Sequence, residues 1–199
     1  MKTKKLDSII KKMRVFVAID IDDEIKNKIF EIQQEFKKIN CNIKYVEKQN
    51  LHITLKFIGE VDITKKEIIK ETLSRSLIEE KKFSININSL GCFPNLSGPR
   101  ILWVGIEEGK KELVFLAEKI DNELSRINIK KETKKFDPHI TIGRIKSNYK
   151  ISVLKEKIKE LSITNFGSFE VGSIVLYESI LKSTGPYYNR LETFILQEN

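Results

Sequence analysis

The chain has two histidines, and both stand in the same short context: Leu51-His52-Ile53-Thr54-Leu55 and Pro138-His139-Ile140-Thr141-Ile142. An imidazole, with an ordinary pKa of about 6.5, can hold or release a proton near neutral pH, so a pair can serve one reaction as acid and base. A threonine hydroxyl two residues further on adds a donor for an oxygen on which negative charge builds. Set opposite one another, two such groups suit an in-line displacement at phosphorus, which needs the attacking and leaving oxygens on opposite sides of the phosphate. A lone histidine in an apolar strand is more often packed than catalytic, but two in matched motifs reverse that expectation. A metal site is the poorer reading. Two histidines 87 residues apart, with no H-E-x-x-H and no cysteine beside either, leave too few ligands.

These side chains need elements to hold them. Both motifs are strand-like, and because side chains alternate along a strand, His52 and Thr54 share one face while Leu51, Ile53 and Leu55 point into a core. His139 and Thr141 do the same beside Ile140 and Ile142. The surrounding pattern repeats. Arg14 to Asp20 (RVFVAID) reads as a buried strand followed by a helix with its stripe on Ile25, Ile29, Ile32, Phe36 and Ile39. Ile101 to Glu107 (ILWVGIE) and then Leu113, Ala117, Ile120, Leu124 and Ile127 read the same way. Val15 and Leu102, Phe16 and Trp103, and Val17 and Val104 are each 87 residues apart, as are the two histidines. The helical stripes are offset by 88, which calls for one extra residue in the second connecting turn. The halves are therefore internal repeats. Each is completed by a helix (Ile68, Ile69, Leu73, Leu77; then Leu154, Ile158, Leu161) and a strand (Phe83, Ile85, Ile87; then Phe169, Val171, Ser173, Val175). Pro94 to Pro99 marks a loop between them, and a last strand over roughly Tyr187 to Leu196 closes a sheet.

With 199 residues, 40% of them hydrophobic, the chain can bury one substantial core. We expect an N-terminal extension over residues 1–12 and one two-lobed domain over 13–199. A net charge of +8, from 36 Lys and Arg against 28 Asp and Glu, favours an anionic partner, although a lysine-rich composition alone would also produce it. Cys41 and Cys92 are too few for a disulfide framework and lack C-x-x-C spacing, which fits a reducing, cytoplasmic setting. The N-terminus is too poor in apolar residues for a signal peptide, and no segment reads as a membrane span.

The blocks RVFVAID, NLHITLKFIGEV (Asn50 to Val61), GCFPN (Gly91 to Asn95), PRILWVGI (Pro99 to Ile106) and FDPHITIGR (Phe136 to Arg144), in that order, resemble the 2H phosphoesterase superfamily. Within it they are most similar to the bacterial and archaeal RNA 2′,3′-cyclic phosphodiesterases once called 2′-5′ RNA ligases. The resemblance implies an α+β, bilobal fold: two pseudo-twofold-related lobes whose antiparallel sheets form a central groove flanked by helices. It implies hydrolysis of an RNA 2′,3′-cyclic phosphate to a 2′-phosphomonoester, with His52 as proton donor, His139 as proton acceptor, and no metal or cofactor. The implied partner is an RNA with such an end, tRNA fragments among them, bound by a monomer.

Thr54, Thr141 and Arg144 are the candidate substrate-binding residues. Arg144 lies five residues after His139, so a regular strand would turn it to the opposite face, and only a twist or bulge would bring it to the phosphate. Phe57 has the same parity and reads as core, and Tyr45 reads as packing. Asp137 could raise the pKa of His139 if the side chains approach. The rival readings are another 2H activity, on 2′-5′ oligonucleotides, ADP-ribose cyclic phosphate or tRNA halves, and a non-catalytic protein that holds RNA ends.

Overall fold

The computed structural model describes residues 11–183 and 185–198. The expected N-terminal extension falls outside the described residues, except at its end. There the first strand already starts at Lys12, paired with Asp62.

In chain order the elements are β1 (Lys12–Asp20), α1 (Asp23–Lys38), β2 (Ile43–Tyr45), β3 (His52–Asp62), α2 (Lys66–Leu77), β4 (Phe83–Phe93), β5 (Ile101–Ile106), α3 (Lys110–Arg126), β6 (His139–Ile145), α4 (Ile151–Glu160), β7 (Asn165–Val171), β8 (Ser173–Lys182) and β9 (Gly185–Ile195). The strands form one curled path, β7-β4-β5-β6-β3-β1-β8-β9, with β2 added on β6, and every ladder between named strands is antiparallel. The two sheets expected from the resemblance are thus the halves of a single hydrogen-bonded path. They meet at β3 and β6 through one register pair, Ile53 with Ile140.

The first lobe contains β1, β3, β8 and β9; the second contains β2, β4, β5, β6 and β7. The turn between β1 and α1 has two residues and that between β5 and α3 has three, so the extra residue is present. It ends on Gly109, whose φ of +76° and close approach to Ser84 O and Ile85 exclude a side chain.

One helix of each half crosses to the other lobe. Helix α1 starts behind an Asp22 cap, whose carboxylate accepts from Glu24 N, and buries Ile25, Ile29, Gln33 and Phe36. From that face Gln33 Nε2 donates to the carbonyls of Val46 and of Ile142 on β6, both at 2.9 Å, and Lys28 Nζ donates to Phe166 O on β7. Helix α3 follows a strand of the second lobe but docks on β3 of the first. There Asp121, which stands 88 residues after Gln33, is paired at 2.5 Å with Lys56, whose side chain is 1% exposed. The expected stripes are otherwise right, apart from their ends and from Gln33, buried in the row where Ile32 was expected.

The reading of residues 169–175 as one strand is wrong. Phe169 and Val171 lie on β7 beside β4, whereas Ser173 and Val175 lie on β8; β8 pairs with β1 at the opposite side of the path, and the chain changes lobe at Gly172. Phe169 and Val171 pack into the larger core cluster, whereas on β8 Ile174 and Leu176 do so and Val175 faces the other way, so the odd-numbered row of apolar residues does not mark one face. The strand expected at the C-terminus is β9. It ends the sheet path beside β8, and just beyond it Gln197 forms a parallel bridge with Lys81.

The principal core lies between the sheet and the helices, where Val15, Val17 and Ile19 of β1 are buried. A small second cluster, Phe16, Ala18, Val175 and Tyr177 with Tyr188 against it, occupies the opposite face of the first lobe. This second face carries His52.

Candidate active site

Each histidine begins its strand, and each ring is pinned in the same way. His52 Nδ1 donates to Asn50 O at 2.7 Å, and His139 Nδ1 donates to Asp137 O at 2.7 Å. The 87-residue repeat therefore extends to the anchoring carbonyls. A carbonyl only accepts, so Nδ1 carries the hydrogen in both rings and Nε2 is left as the working nitrogen. In the first lobe Thr54 Oγ1 lies 2.9 Å from His52 Nε2, donating its hydroxyl when the ring is neutral.

The pair Ile53 and Ile140 at the seam acts as a local twofold. Its antiparallel register places His52 across from Thr141 and His139 across from Thr54. The histidines are diagonal neighbours on one face, near enough that His139 lowers the proton affinity of His52.

A β-bulge recurs in both motifs immediately after the threonine. Val17 pairs with Lys56 and Ala18 with Thr54, leaving Leu55 unpaired; Leu102 pairs with Gly143 and Trp103 with Thr141, leaving Ile142 unpaired. Two consecutive residues, Leu55 and Lys56 or Ile142 and Gly143, then face the core, and the alternation is inverted beyond them. Arg144 accordingly points to the histidine face and is exposed; burial raises the pKa of Tyr188 on β9, and the nearby charge of Arg144 only opposes that rise. Phe57 is corrected by the same bulge. Instead of core it is 53% exposed on the histidine face, its ring 6.2 Å from that of Phe16, which in turn is 5.1 Å from His52. Tyr45 packs against the principal core, as expected.

Burial pushes the pKa of His52 down from its ordinary value, while the Asn50 carbonyl and the negative charge of Asp20 act to raise it. Asp20 is the cross-strand partner of His52, and it accepts from Tyr177 OH at 2.6 Å and from Arg190. Tyr188 meets the His52 ring edge-on at 5.3 Å. None of Asp20, Tyr177, Tyr188 and Arg190 was singled out from the sequence. Only Asp20 carried a signal, since it shares the face of Phe16 and Ala18 in RVFVAID. Around His139 the surroundings are sparser, with Phe93 edge-on at 5.0 Å. The Asp137 carboxylate turns away to Lys110, at 2.7 Å, so that what this residue gives His139 is its carbonyl.

The profile of the family described as LigT like Phosphoesterase matches residues 19–103 and again residues 104–188, once for each half. The chain belongs to this family. Among its LigT-like relatives, an RNA 2′,3′-cyclic phosphodiesterase of Methanocaldococcus jannaschii is 42% identical over 88% of this chain and 96% of its own. One of Aquifex aeolicus is 38% identical over 94% and 99%. The structure of TT0787 of Thermus thermophilus superposes with a TM-score of 0.79 at 27% identity, covering 94% of this chain and 99% of that one. Escherichia coli LigT complexed with 3′-AMP gives 0.76 at 25% identity, with the same coverage. The LigT-like fold is therefore α+β, two repeats of strand and helix sharing one curled antiparallel sheet. Among the described residues no group of three His, Cys, Asp or Glu is arranged to hold a metal ion, and no helix is long and apolar enough to cross a membrane.

Proposed function

We propose that this chain hydrolyses the 2′,3′-cyclic phosphate at an RNA end to a 2′-phosphomonoester. The observation that carries the reading is the pair of repeat-related imidazoles, each with Nδ1 tied to a carbonyl and both on one face of the sheet across the Ile53–Ile140 pair. The name shared by its relatives supports the substrate class.

In the displacement, His139 Nε2 takes a proton from water as the water oxygen bonds to phosphorus. The bond from phosphorus to O3′ breaks, and His52, protonated on both nitrogens, gives its Nε2 hydrogen to O3′. Thr54 and Thr141 donate to the non-bridging oxygens, and the Arg144 guanidinium meets their charge. Burial disfavours the imidazolium that His52 must be. The anionic cyclic phosphate entering beside it offsets that cost, so the acid is charged when substrate is present. With the 5′-hydroxyl of another RNA in place of water, the same displacement leaves a 2′-5′ linkage. On this reading the enzyme acts as a monomer in the cytoplasm, needs no metal, and takes fragments of cleaved tRNA among its substrates.

The test is a short RNA ending in a 2′,3′-cyclic phosphate, incubated in EDTA with the wild type, His52→Ala and His139→Ala. We expect a 2′-phosphate from the wild type and losses of roughly 100- to 10,000-fold in each variant. A strict requirement for added Mn²⁺, or a variant as active as the wild type, would refute the two-histidine mechanism.

A further inference from the structure

On the outer side of His52, away from the seam, lies a cavity of about 420 Å³. Its walls are the β8–β9 arm, with Lys182, Tyr187 and Tyr188, and the segment around Glu47, Gln49 and Asn50. None of its lining comes from β6. Asn50 joins the walls: its carbonyl holds His52, and its side-chain amide donates to Pro186 O at 3.0 Å. The arm is thereby fixed to the residue that orients the acid. Tyr187 is 51% exposed, with the Lys182 ammonium 4.1 Å from its ring centre, and no carboxylate among the described residues pairs with that ammonium.

In-line geometry decides which part of an RNA reaches this cavity. Water attacks from the His139 side, so the leaving O3′ and the C3′ that bears it lie on the His52 side. The ring neighbour of C3′ is C4′, from which the chain continues through C5′ to the preceding nucleotide. The base hangs from C1′, next to C2′, and leaves in a different direction. Resting on the hydrolytic reading above, we infer that the β8–β9 cavity binds the nucleotide preceding the cyclic phosphate, with Tyr187 as a stacking platform for its base and Lys182 meeting the linking phosphate. The pocket is balanced in charge, Asp20 and Glu47 against Lys182 and Arg190, which suits a nucleoside joined through one phosphate better than a run of phosphates. The enzyme thus distinguishes an RNA end from a free nucleoside cyclic phosphate.

The experiment compares kcat/KM for the dinucleotide ApA ending in a 2′,3′-cyclic phosphate with that for adenosine 2′,3′-cyclic phosphate. The wild type is expected to favour the dinucleotide by about 5- to 150-fold, the equivalent of about 1–3 kcal/mol for one stacked base. In Tyr187→Ala the ratio falls towards one, and in Tyr187→Phe, which keeps the stacking face, it is restored. A wild-type ratio near one, or an alanine variant that lowers both substrates by the same factor, overturns the inference while leaving the hydrolytic reading intact. Hydrolysis of neither substrate would remove that reading, and this inference with it.

Discussion

Replacing Lys56 with methionine should cost far more than its place on a strand flank suggests. The side chain is 1% exposed, and its ammonium lies 2.5 Å from Asp121, 2.7 Å from Lys130 O and 3.7 Å from Glu132. Methionine retains most of the stem volume, so the loss is electrostatic rather than a cavity. Breaking a buried pair from one side costs about 3–5 kcal/mol, because the remaining charge stays without its partner. Asp121 is 17% exposed and also accepts from Glu132 N, which moves the figure to the lower end, about 3 kcal/mol. For a domain of this size that corresponds to a Tm lowered by about 6–12 °C. The double variant Lys56→Met/Asp121→Leu should recover most of the loss, since an apolar replacement of both partners is commonly neutral or better. Thermal and urea unfolding of the four proteins in the cycle would measure the coupling. A Lys56→Met variant within 1 kcal/mol of the wild type, or a double variant whose loss is the sum of the singles, would refute the pairing as what keys α3 to the His52 strand.

Two further outcomes follow from the site. Asp20→Asn removes a negative charge that raises the proton affinity of His52 and frees Arg190, a positive one; both changes lower the imidazole's pKa further. The bell of kcat/KM against pH should then shift its centre acidward and lose height at neutral pH, and an unmoved profile would show that Asp20 is only structural. Arg144→Ala should lower kcat/KM roughly 10- to 100-fold, as expected for a charge-assisted bond of about 1.5–3 kcal/mol, with Tm nearly unchanged because the side chain is exposed. Equal activity would place Arg144 outside the substrate's reach.

Much of this was legible in the sequence because duplication wrote it twice. Apolar periodicity located the strand and helix of each half, and the 87-residue offset tied the two H-x-T motifs to equivalent strands before any fold was known. The bulges at Leu55 and Ile142 invert the alternation, but the second buried residue is Lys56 in one motif and Gly143 in the other, so no pair of adjacent apolar residues marks them. Regular alternation therefore puts Phe57 in the core and turns Arg144 away from the histidines. Lys56 and Gln33 were hidden for another reason: a polar residue in a buried row is legible only when its partner, 65 or 109 residues away, is known. The Asp20, Tyr177, Tyr188 and Arg190 group was likewise assembled from three distant strands.

The exchange of helices between lobes bears on motion. One register pair, Ile53 with Ile140, is all that hydrogen-bonds β3 to β6, and such a junction, left to itself, would be a hinge. Both helices lie over the same core, α1 held to the second lobe through Gln33 and Lys28, α3 to the first through Asp121. Each helix is thus docked on one lobe while its chain enters from the other. The spacing of the two imidazoles therefore depends on two chain crossings as well as on the single pair at the seam.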